Sequence, residues 1–176
     1  MTDLRRLIRD VPDFPKQGVV FKDITPLLLD PAAFAESVRQ MAARARRPEA
    51  VVAIESRGFV FGTALALHWG VPFVPARKFG KLPHHTVREV YSLEYGEDTL
   101  EIHRDALRNQ QRVVIVDDLL ATGGTAAAVV RLVEQLGAKV ESLVFLIELK
   151  GLGGREKLAP YPIEALIDYT VAEERA

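Results

Sequence analysis

Residues 113–125, Val-Val-Ile-Val-Asp-Asp-Leu-Leu-Ala-Thr-Gly-Gly-Thr, decide the fold of this chain. The four β-branched residues at the start are typical of a buried parallel strand. Two carboxylates follow at the predicted end of the strand, and a loop of small residues then opens into a helical pattern over 126–136. Open α/β sheets bind their ligands outside the carboxyl ends of such strands, so the stretch predicts a binding site as well as a fold.

The loop of small residues, which comprises Ala121, Thr122, Gly123, Gly124 and Thr125, has the chemistry of a phosphate site. Its threonines supply hydroxyl groups, and its glycines let backbone N–H groups approach a ligand without a Cβ in the way. The N-terminus of the following helix adds unpaired donors and the positive end of the helix dipole. The loop is therefore predicted to hold one phosphate group.

Asp117 and Asp118 cannot belong to that cradle, because carboxylates repel phosphate. They need hydrogen-bond donors or cations, which either the vicinal hydroxyls of a ribose or a Mg²⁺ ion would supply. A phosphate next to a sugar diol indicates a ribose 5-phosphate. The alternative is that the carboxylates cap a strand and the glycines form an ordinary turn, which would explain either pair on its own.

The composition is that of one globular enzyme domain over residues 1–176. Hydrophobic residues make up 48% and charged residues 27%, which excludes a disordered chain. The net charge of −1 gives no electrostatic reason to expect a nucleic-acid or membrane partner. The sequence has no cysteine and no recognisable export signal, so we expect a cytoplasmic protein without disulfides or thiolate metal sites.

Strand and helix patterns alternate along the chain without a linker. Strands are predicted over 50–54, 71–76, 111–116 and 138–149, and helices over 2–9, 31–47, 58–69 and 126–136. This alternation predicts an α/β fold, with a mostly parallel twisted sheet flanked by helices. Residues 86–103 are the exception, because their hydrophobic residues partly alternate with polar ones around a turn. We interpret them as a two-stranded flap with a mobile turn, outside the main sheet.

Polar groups also follow the first two strands of the predicted parallel sheet. Ser56 and Arg57 come after the first strand, and Arg77 and Lys81 come after the second. An arginine in this position can clamp a pyrophosphate bidentately, and the cations of the second loop suit the same anionic leaving group. The alternatives are a surface ion pair between Arg57 and Glu55 and a cationic loop that is merely solvated.

The complete 113–125 string resembles the 5-phosphoribosyl 1-pyrophosphate signature of the type I phosphoribosyltransferases. Over nearly its full length the chain is similar to the adenine-specific enzymes of that family, and it differs from the 6-oxopurine and orotate enzymes. The segments that carry the resemblance are 12–15, 18–27, 55–59, 77–78, 80–83, 91–96 and 154–158. Gln17 stands where a proline is common, and Phe79 interrupts a basic stretch. We expect both departures to adjust loops and leave the chemistry alone.

The resemblance implies an activity and an architecture. The reaction would convert adenine and 5-phosphoribosyl 1-pyrophosphate into AMP and pyrophosphate, in purine salvage. The cofactor would be Mg²⁺, held mainly through the substrate with no dedicated protein ligand. A small N-terminal hood over about 1–30 would bind the base, and a mobile β-flap over about 81–103 would cover the site. The protein would be a homodimer whose other partners are these small molecules.

The resemblance also implies a role for each candidate residue. The loop 121–125 would bind the 5′-phosphate, and Asp117 and Asp118 the ribose hydroxyls. The remaining binding residues are Ser56, Arg57, Arg77 and Lys81 for pyrophosphate, and Val20, Phe21, Lys22 and Leu119 for adenine. Val20 and Lys22 would read adenine through backbone groups, while Phe21 and Leu119 would pack on the purine.

The catalytic candidates lie at the tip of the flap. Glu94 would handle a proton at the purine, at N7 in our hypothesis, and Tyr95 would help the flap to exclude water. The alternative is that Glu94 sits in a solvated turn and only Tyr95 matters, through packing. Two rival functions also stay open: a phosphoribosyltransferase with a different base preference, and a non-catalytic protein that senses the sugar pyrophosphate.

Overall fold

The computed structural model describes residues 3–93 and 96–171. Its strands are β1 (Arg9–Pro12), β2 (Val20–Asp23), β3 (Ala50–Ile54), β4 (Phe73–Lys78), β5 (Thr86–Leu93), β6 (Gly96–His103), β7 (Arg112–Leu120), β8 (Lys139–Lys150) and β9 (Ile163–Thr170). Its α-helices are α1 (Thr25–Leu29), α2 (Pro31–Arg44), α3 (Gly58–Trp69), α4 (Gly124–Gln135) and α5 (Gly154–Lys157).

One seven-stranded sheet organises the fold, with the strand order β5-β6-β4-β3-β7-β8-β9. The five strands β4, β3, β7, β8 and β9 run parallel to one another. β5 and β6 form an antiparallel hairpin at one edge, and β6 pairs antiparallel with β4. β1 and β2 form a separate antiparallel pair. The predicted α/β class with a mostly parallel sheet is thus confirmed.

Strand β7 runs through the middle of this sheet and is covered on both faces. Val113 and Ile115 belong to the hydrophobic cluster that includes α4, whereas Val114 and Val116 belong to the cluster that includes α2 and α3. All four side chains are fully buried. The unbroken β-branched run in the sequence therefore reflects a strand between two helical layers.

Local sequence signals fix the ends of the helices. The Asp30 side chain accepts hydrogen bonds from the N–H groups of Ala32 and Ala33, both at 3.0 Å, and so caps α2 as predicted. Gly70 adopts a left-handed conformation with φ of 63° and ends α3, also as predicted. The helix predicted over 31–47 ends earlier, at Arg44.

The prediction that the flap hairpin lies outside the main sheet is wrong. Strand β6 pairs with β4, with Glu101 opposite Arg77 and Leu100 opposite Lys78. Leu100 and Ile102 are buried in the hydrophobic cluster that includes α4. Burying these side chains favours continuation of the sheet, so the hairpin forms its edge.

Two predicted element boundaries are also wrong. β7 continues to Leu120, because it pairs with β8 as far as Glu148, so Asp117 and Asp118 lie within the strand. In place of the helix predicted over 2–9, the described residues form a 3-10 turn at Leu4–Leu7, because the chain pairs with β2 from Arg9 onward.

The N-terminal segment packs beside the carboxyl ends of the parallel strands. β1 and β2 pair from Arg9 opposite Asp23 to Pro12 opposite Val20. Ile24 and Leu27 bury their side chains in the cluster that includes α2 and α3, which anchors the segment to the main sheet. Within residues 3–93 and 96–171, no helix has the length and apolar character needed to cross a membrane.

Candidate active site

The predicted phosphate loop connects β7 to α4 and borders a cavity of about 210 Å³. Asp117, Leu119, all five loop residues and Phe145 contribute to the cavity wall. Gly123 takes φ of 76°, which turns the chain into the N-terminus of α4. Backbone N–H groups at this helix end and the threonine hydroxyls give the cavity its capacity to bind an anion.

The turn that begins α5 fixes the shape of the phosphate loop by close contact. A Cβ on Gly123 would lie 2.9 Å from the carbonyl oxygen of Gly154, and a Cβ on Gly154 would collide with the carbonyl oxygen of Ala121. Arg155 holds the turn by hydrogen bonds to the buried Glu148 carboxylate and, at 2.9 Å, to the Ile163 carbonyl. Only glycine fits at either contact point, which explains the glycines in both segments.

The paired carboxylates lie at one side of this cavity. Asp117 borders it and is partly buried, whereas only 3% of Asp118 is exposed. The N–H of Asp118 donates to Asp117 Oδ1 at 2.8 Å. Burial raises the pKa of Asp117 well above its ordinary value, and the charge of Asp118 raises it further. Burial also raises the pKa of Asp118, although Arg57 opposes this shift.

Arg57 connects the carboxylates to the segment predicted to bind the base. Its Nε lies 2.8 Å from Asp118 Oδ2, and its guanidinium lies 4.7 Å from the centre of the Phe21 ring. The proposed alternative, an ion pair with Glu55, is wrong, because Glu55 binds Arg77 and the N–H of Lys78 instead. Within the described residues, Arg57 Nη1 is buried and has no hydrogen-bond partner. An unsatisfied buried donor of this kind is suited to an anionic ligand.

The second cationic loop follows β4 and is held by carboxylates. Arg77 Nε donates to Glu55 Oε2 at 2.9 Å, and Arg77 Nη1 donates to the Lys81 carbonyl at 3.1 Å. The side chains of Ser56 and Lys81 are exposed. The Glu55–Ser56 peptide bond, at the start of the first loop, is cis. The prediction that Arg77 follows its strand is wrong, because β4 continues to Lys78 and pairs with β6 there. Ser56 lies in the loop after β3, Arg77 near the end of β4 and Lys81 in the loop after it.

The residues predicted to bind the base, Val20, Phe21 and Lys22, lie on strand β2. Lys22 is buried, with Nζ at 2.9 Å from Asp10 Oδ1 and 4.0 Å from the centre of the Tyr169 ring. Phe21 packs edge-on against Phe14, with the ring centres 5.2 Å apart. Within the described residues β2 pairs with β1 alone, so it forms one edge of a two-stranded sheet.

A connection between the two anion sites runs through the flap hairpin, and sequence reasoning missed it. Lys78 Nζ lies 3.1 Å from Asp98 Oδ2, and the Tyr91 hydroxyl donates to the same oxygen at 3.5 Å. Burial raises the pKa of Tyr91, while a hydrogen bond with Thr125 of the phosphate loop opposes the shift. Tyr91 stands in a stretch where hydrophobic and polar residues alternate only in part, and nothing in that pattern indicates its partners. Glu94 and Tyr95 lie outside the described residues.

The comparisons with known proteins agree with this geometry. Residues 24–164 match the model of the phosphoribosyl transferase domain, which is more than half of the chain. The chain therefore belongs to the phosphoribosyltransferase family.

Individual relatives narrow the assignment. An adenine phosphoribosyltransferase from Carboxydothermus hydrogenoformans is 55% identical over 169 residues, covering 95% of this chain and 99% of that protein. The crystal structure of an adenine phosphoribosyltransferase from Thermoanaerobacter pseudethanolicus is 53% identical, with a TM-score of 0.92 and coverage of 95% and 98% of the two chains. The Saccharomyces cerevisiae enzyme, crystallised with an imino-altritol bisphosphate and adenine, is 39% identical, with a TM-score of 0.86 and 96% coverage of each chain. Within the family, this chain belongs to the adenine phosphoribosyltransferases.

Proposed function

We propose that this protein transfers the 5-phosphoribosyl group of 5-phosphoribosyl 1-pyrophosphate to adenine, forming AMP and pyrophosphate in purine salvage. The observation that carries the proposal is the position of Arg57, which contacts both Asp118 and Phe21 while its Nη1 lacks a partner within the described residues. One residue thus joins the candidate ribose, leaving-group and base sites. The close relationship to adenine phosphoribosyltransferases supports the choice of base.

The sugar phosphate binds at the end of β7. The loop 121–125 holds the 5′-phosphate through backbone N–H groups and the hydroxyls of Thr122 and Thr125. Asp117 and Asp118 accept hydrogen bonds from the ribose hydroxyls. The cavity that Asp117 shares with the loop supports this assignment, because it brings a diol acceptor next to a phosphate site.

The leaving group binds on the other side of the ribose. Arg57, Arg77, Lys81 and the Ser56 hydroxyl bind the pyrophosphate, which gathers negative charge as the bond from C1′ to its oxygen breaks. Adenine N9 forms the new bond to C1′, and the adenine proton leaves. Cations fixed next to the leaving group stabilise this charge more effectively than solvent does, so positioning and electrostatics supply most of the rate.

Adenine lies against β2. The outer edge of this strand offers backbone groups at Val20 and Lys22, which match the N6 donor and N1 acceptor of adenine. The Lys22 ammonium is held by Asp10 and Tyr169, so we expect the backbone rather than this side chain to recognise the base. Phe21 and Leu119 pack on the purine ring. A 6-oxopurine would place its acceptor oxygen opposite the backbone carbonyl that accepts from N6 of adenine, so it would bind less well.

The tip of the flap supplies the proton chemistry. Glu94 handles a proton at the purine, and Tyr95 helps to exclude the water that would otherwise hydrolyse the reactive sugar. A Cβ on Gly124 would lie 3.6 Å from the carbonyl oxygen of Ser92 on β5, and this proximity supports a flap that packs against the phosphate loop.

The donor chemistry of the site fits Mg²⁺ as the cofactor. Asp117 and Asp118 offer carboxylate oxygens, the ligand type that Mg²⁺ prefers, but two carboxylates alone would not complete the coordination of the ion. Mg²⁺ would therefore be held mainly through the substrate. When bound, Mg²⁺ neutralises charge on the leaving group.

The proposal extends to the whole protein. We expect one domain, with a hood over about 1–30 and a flap over about 81–103, that acts as a cytoplasmic homodimer. The two-stranded sheet of β1 and β2 and the hairpin of β5 and β6 support the hood and the flap. Sedimentation equilibrium of the purified chain tests the dimer.

The decisive experiment is AMP formation from adenine and 5-phosphoribosyl 1-pyrophosphate with Mg²⁺, with hypoxanthine, guanine and xanthine assayed in parallel. We expect turnover with adenine only. Turnover with an oxopurine instead would retain the sugar-phosphate site and refute the proposed base site. Tight binding of the sugar pyrophosphate without turnover of any base would indicate a non-catalytic sensor.

A further inference from the structure

Glu101 is a buried carboxylate that has no assigned part in substrate binding. It lies on β6 between the buried residues Leu100 and Ile102, and only 1% of its surface is exposed. A glutamate is rarely buried so completely unless donors satisfy both of its oxygens. Its hydrogen-bond partners therefore indicate its role.

Both oxygens of Glu101 bind the segment that links β4 to the start of β5. Oε1 accepts hydrogen bonds from the N–H groups of Gly80 at 3.0 Å and Leu82 at 3.3 Å. Oε2 accepts from the Thr86 hydroxyl at 3.1 Å and from Arg88 Nε at 3.3 Å. A single carboxylate thus accepts from four donors, namely two backbone N–H groups of the loop and two side chains at the start of β5.

Lys81 lies between the two residues whose N–H groups bind Glu101. Its own N–H donates to the Lys78 carbonyl at 3.2 Å, and its carbonyl accepts from Arg77 Nη1 at 3.1 Å. The Lys81 side chain itself is exposed. The backbone at Lys81 is therefore fixed from several sides, while its ammonium group extends into solvent at the edge of the sheet.

Phe79, on the outer side of the loop 79–85, is linked to Glu101 through Arg88. The exposed ring of Phe79 lies 4.4 Å from the Arg88 guanidinium, the group that donates to Glu101. Phe79, which interrupts a basic stretch of the sequence, thus makes a cation–π contact that restrains the loop. Glu101 also pairs across the sheet with Arg77 and with Arg88, one on each neighbouring strand.

We propose that Glu101 is a positioning residue, which orders the loop 79–85 so that Lys81 and Arg77 are preset to receive the pyrophosphate group of the substrate. This inference rests on the proposed function. Glu101 itself does not touch the substrate, because its oxygens are occupied by donors of the loop and of β5. A preset loop avoids the entropy cost of ordering it when the ligand binds.

The test compares Glu101→Gln with the wild type in steady-state AMP formation. The amide keeps the size of the side chain but loses the charge and half of its acceptor capacity. We expect the KM for 5-phosphoribosyl 1-pyrophosphate to rise about tenfold, with the KM for adenine changing less than about twofold. The inhibition constant of pyrophosphate should rise in parallel.

Glu89→Gln is the matched control. Glu89 lies on the same hairpin and binds Arg131 and Gln135 of α4, but not the loop 79–85. We expect its KM values to match those of the wild type. If Glu101→Gln and Glu89→Gln behave alike, or if both substrates lose affinity equally in Glu101→Gln, the positioning role is refuted.

Arg88→Gln keeps the inference testable if Glu101→Gln does not fold. Arg88 is exposed, so its loss carries little folding risk, and it removes one of the four donors to Glu101. We expect a rise of about threefold in the KM for the sugar pyrophosphate alone; an unchanged KM would refute the inference. Absence of AMP formation by the wild type would instead refute the proposed function.

Discussion

The two candidate anion sites of this protein are built on opposite principles. The phosphate loop at 121–125 offers backbone N–H groups and small hydroxyls, and its shape is enforced by contact between Gly123 and Gly154. The pyrophosphate side offers long cationic side chains, and two of them already pair with carboxylates: Arg57 with Asp118 and Arg77 with Glu55. The adjacent Lys78 pairs with Asp98 in the same way. The shape of the first site is therefore fixed by close packing, whereas the second site consists of cationic side chains that are paired with carboxylates.

This difference predicts different responses to mutation. The closely packed phosphate loop should lose activity when atoms are added, because its contacts leave no space for them. The pyrophosphate side should lose activity when a charge is removed, because a carboxylate is then left without its partner. The difference also suits the reaction, since the 5′-phosphate stays bound throughout while the pyrophosphate must leave.

Gly123→Ala is expected to have the largest effect. Its Cβ would lie 2.9 Å from the Gly154 carbonyl oxygen, at a φ of 76° that disfavours a side chain. Displacing the loop removes several N–H donors from the 5′-phosphate, so kcat/KM for the sugar pyrophosphate should fall on the order of 1,000-fold. Steady-state AMP formation measures this loss.

Gly70→Ala is the control for that change. Gly70 also has a positive φ, of 63°, but a Cβ there would meet no atom within 4 Å. The substitution should cost about 1 kcal/mol of stability and leave kcat/KM unchanged. If both variants lost activity equally, backbone strain rather than the contact with Gly154 would explain the effect.

Glu94→Ala distinguishes a role in the chemical step from a role in binding at either anion site. If Glu94 handles a proton at the purine, kcat should fall about 100-fold while the dissociation constants of pyrophosphate and AMP stay within about twofold. The melting temperature should not change. An unchanged kcat would exclude this role and leave Tyr95 as the functional residue of the flap tip.

Arg57→Gln tests the charge balance of the pyrophosphate side. The variant removes a charged donor from the leaving group and the cation that pairs with Asp118. We expect kcat/KM for the sugar pyrophosphate to fall about 30-fold, which corresponds to a charged hydrogen bond of about 2 kcal/mol. Arg39→Gln, which removes an exposed pair with Glu36 on α2, should have no effect. A loss below about threefold in Arg57→Gln would contradict the role of Arg57.

The difference between the two anion sites also explains which parts of the structure could be predicted from the sequence. The phosphate loop is local: its strand, glycines and helix are consecutive, so periodicity and turn chemistry were enough to predict them. The pyrophosphate side depends on pairing between distant strands. The Arg57–Asp118 pair joins β7 to the loop after β3, and no periodicity in either segment predicts that contact.

The flap hairpin shows the same limit. Its two strands could be predicted from their partial alternation, but their attachment to β4 depends on tertiary packing of Leu100 and Ile102. Glu101 was overlooked for the same reason. A glutamate between two apolar residues looks like the exposed position of an edge strand, and only the donors of the neighbouring loop make its burial favourable.

Asp117→Asn is expected to have the smallest effect. It tests whether the buried Asp117 carboxylate lowers the free energy of unfolding. Burial, and then the charge of Asp118, raise the pKa of Asp117 in the folded state. The contribution of Asp117 to stability is thus full below its unfolded-state pKa and is lost as pH rises through the folded-state pKa. At pH 7.5 that contribution is reduced, so the asparagine variant, which has no carboxyl group to bury, should be about 1 kcal/mol more stable in urea unfolding.

This gain should shrink as the pH falls towards the ordinary pKa of an aspartate, because the wild-type carboxyl then becomes neutral in the folded state. The amide of the Asp117→Asn variant would keep an oxygen that accepts from the N–H of Asp118, so the local backbone should be preserved. Activity should move in the opposite direction to stability, since the variant loses an acceptor for the ribose hydroxyls. A variant that is less stable at pH 7.5, or a difference that does not depend on pH, would show that the Asp117 carboxylate stabilises the fold rather than being maintained at a cost for binding.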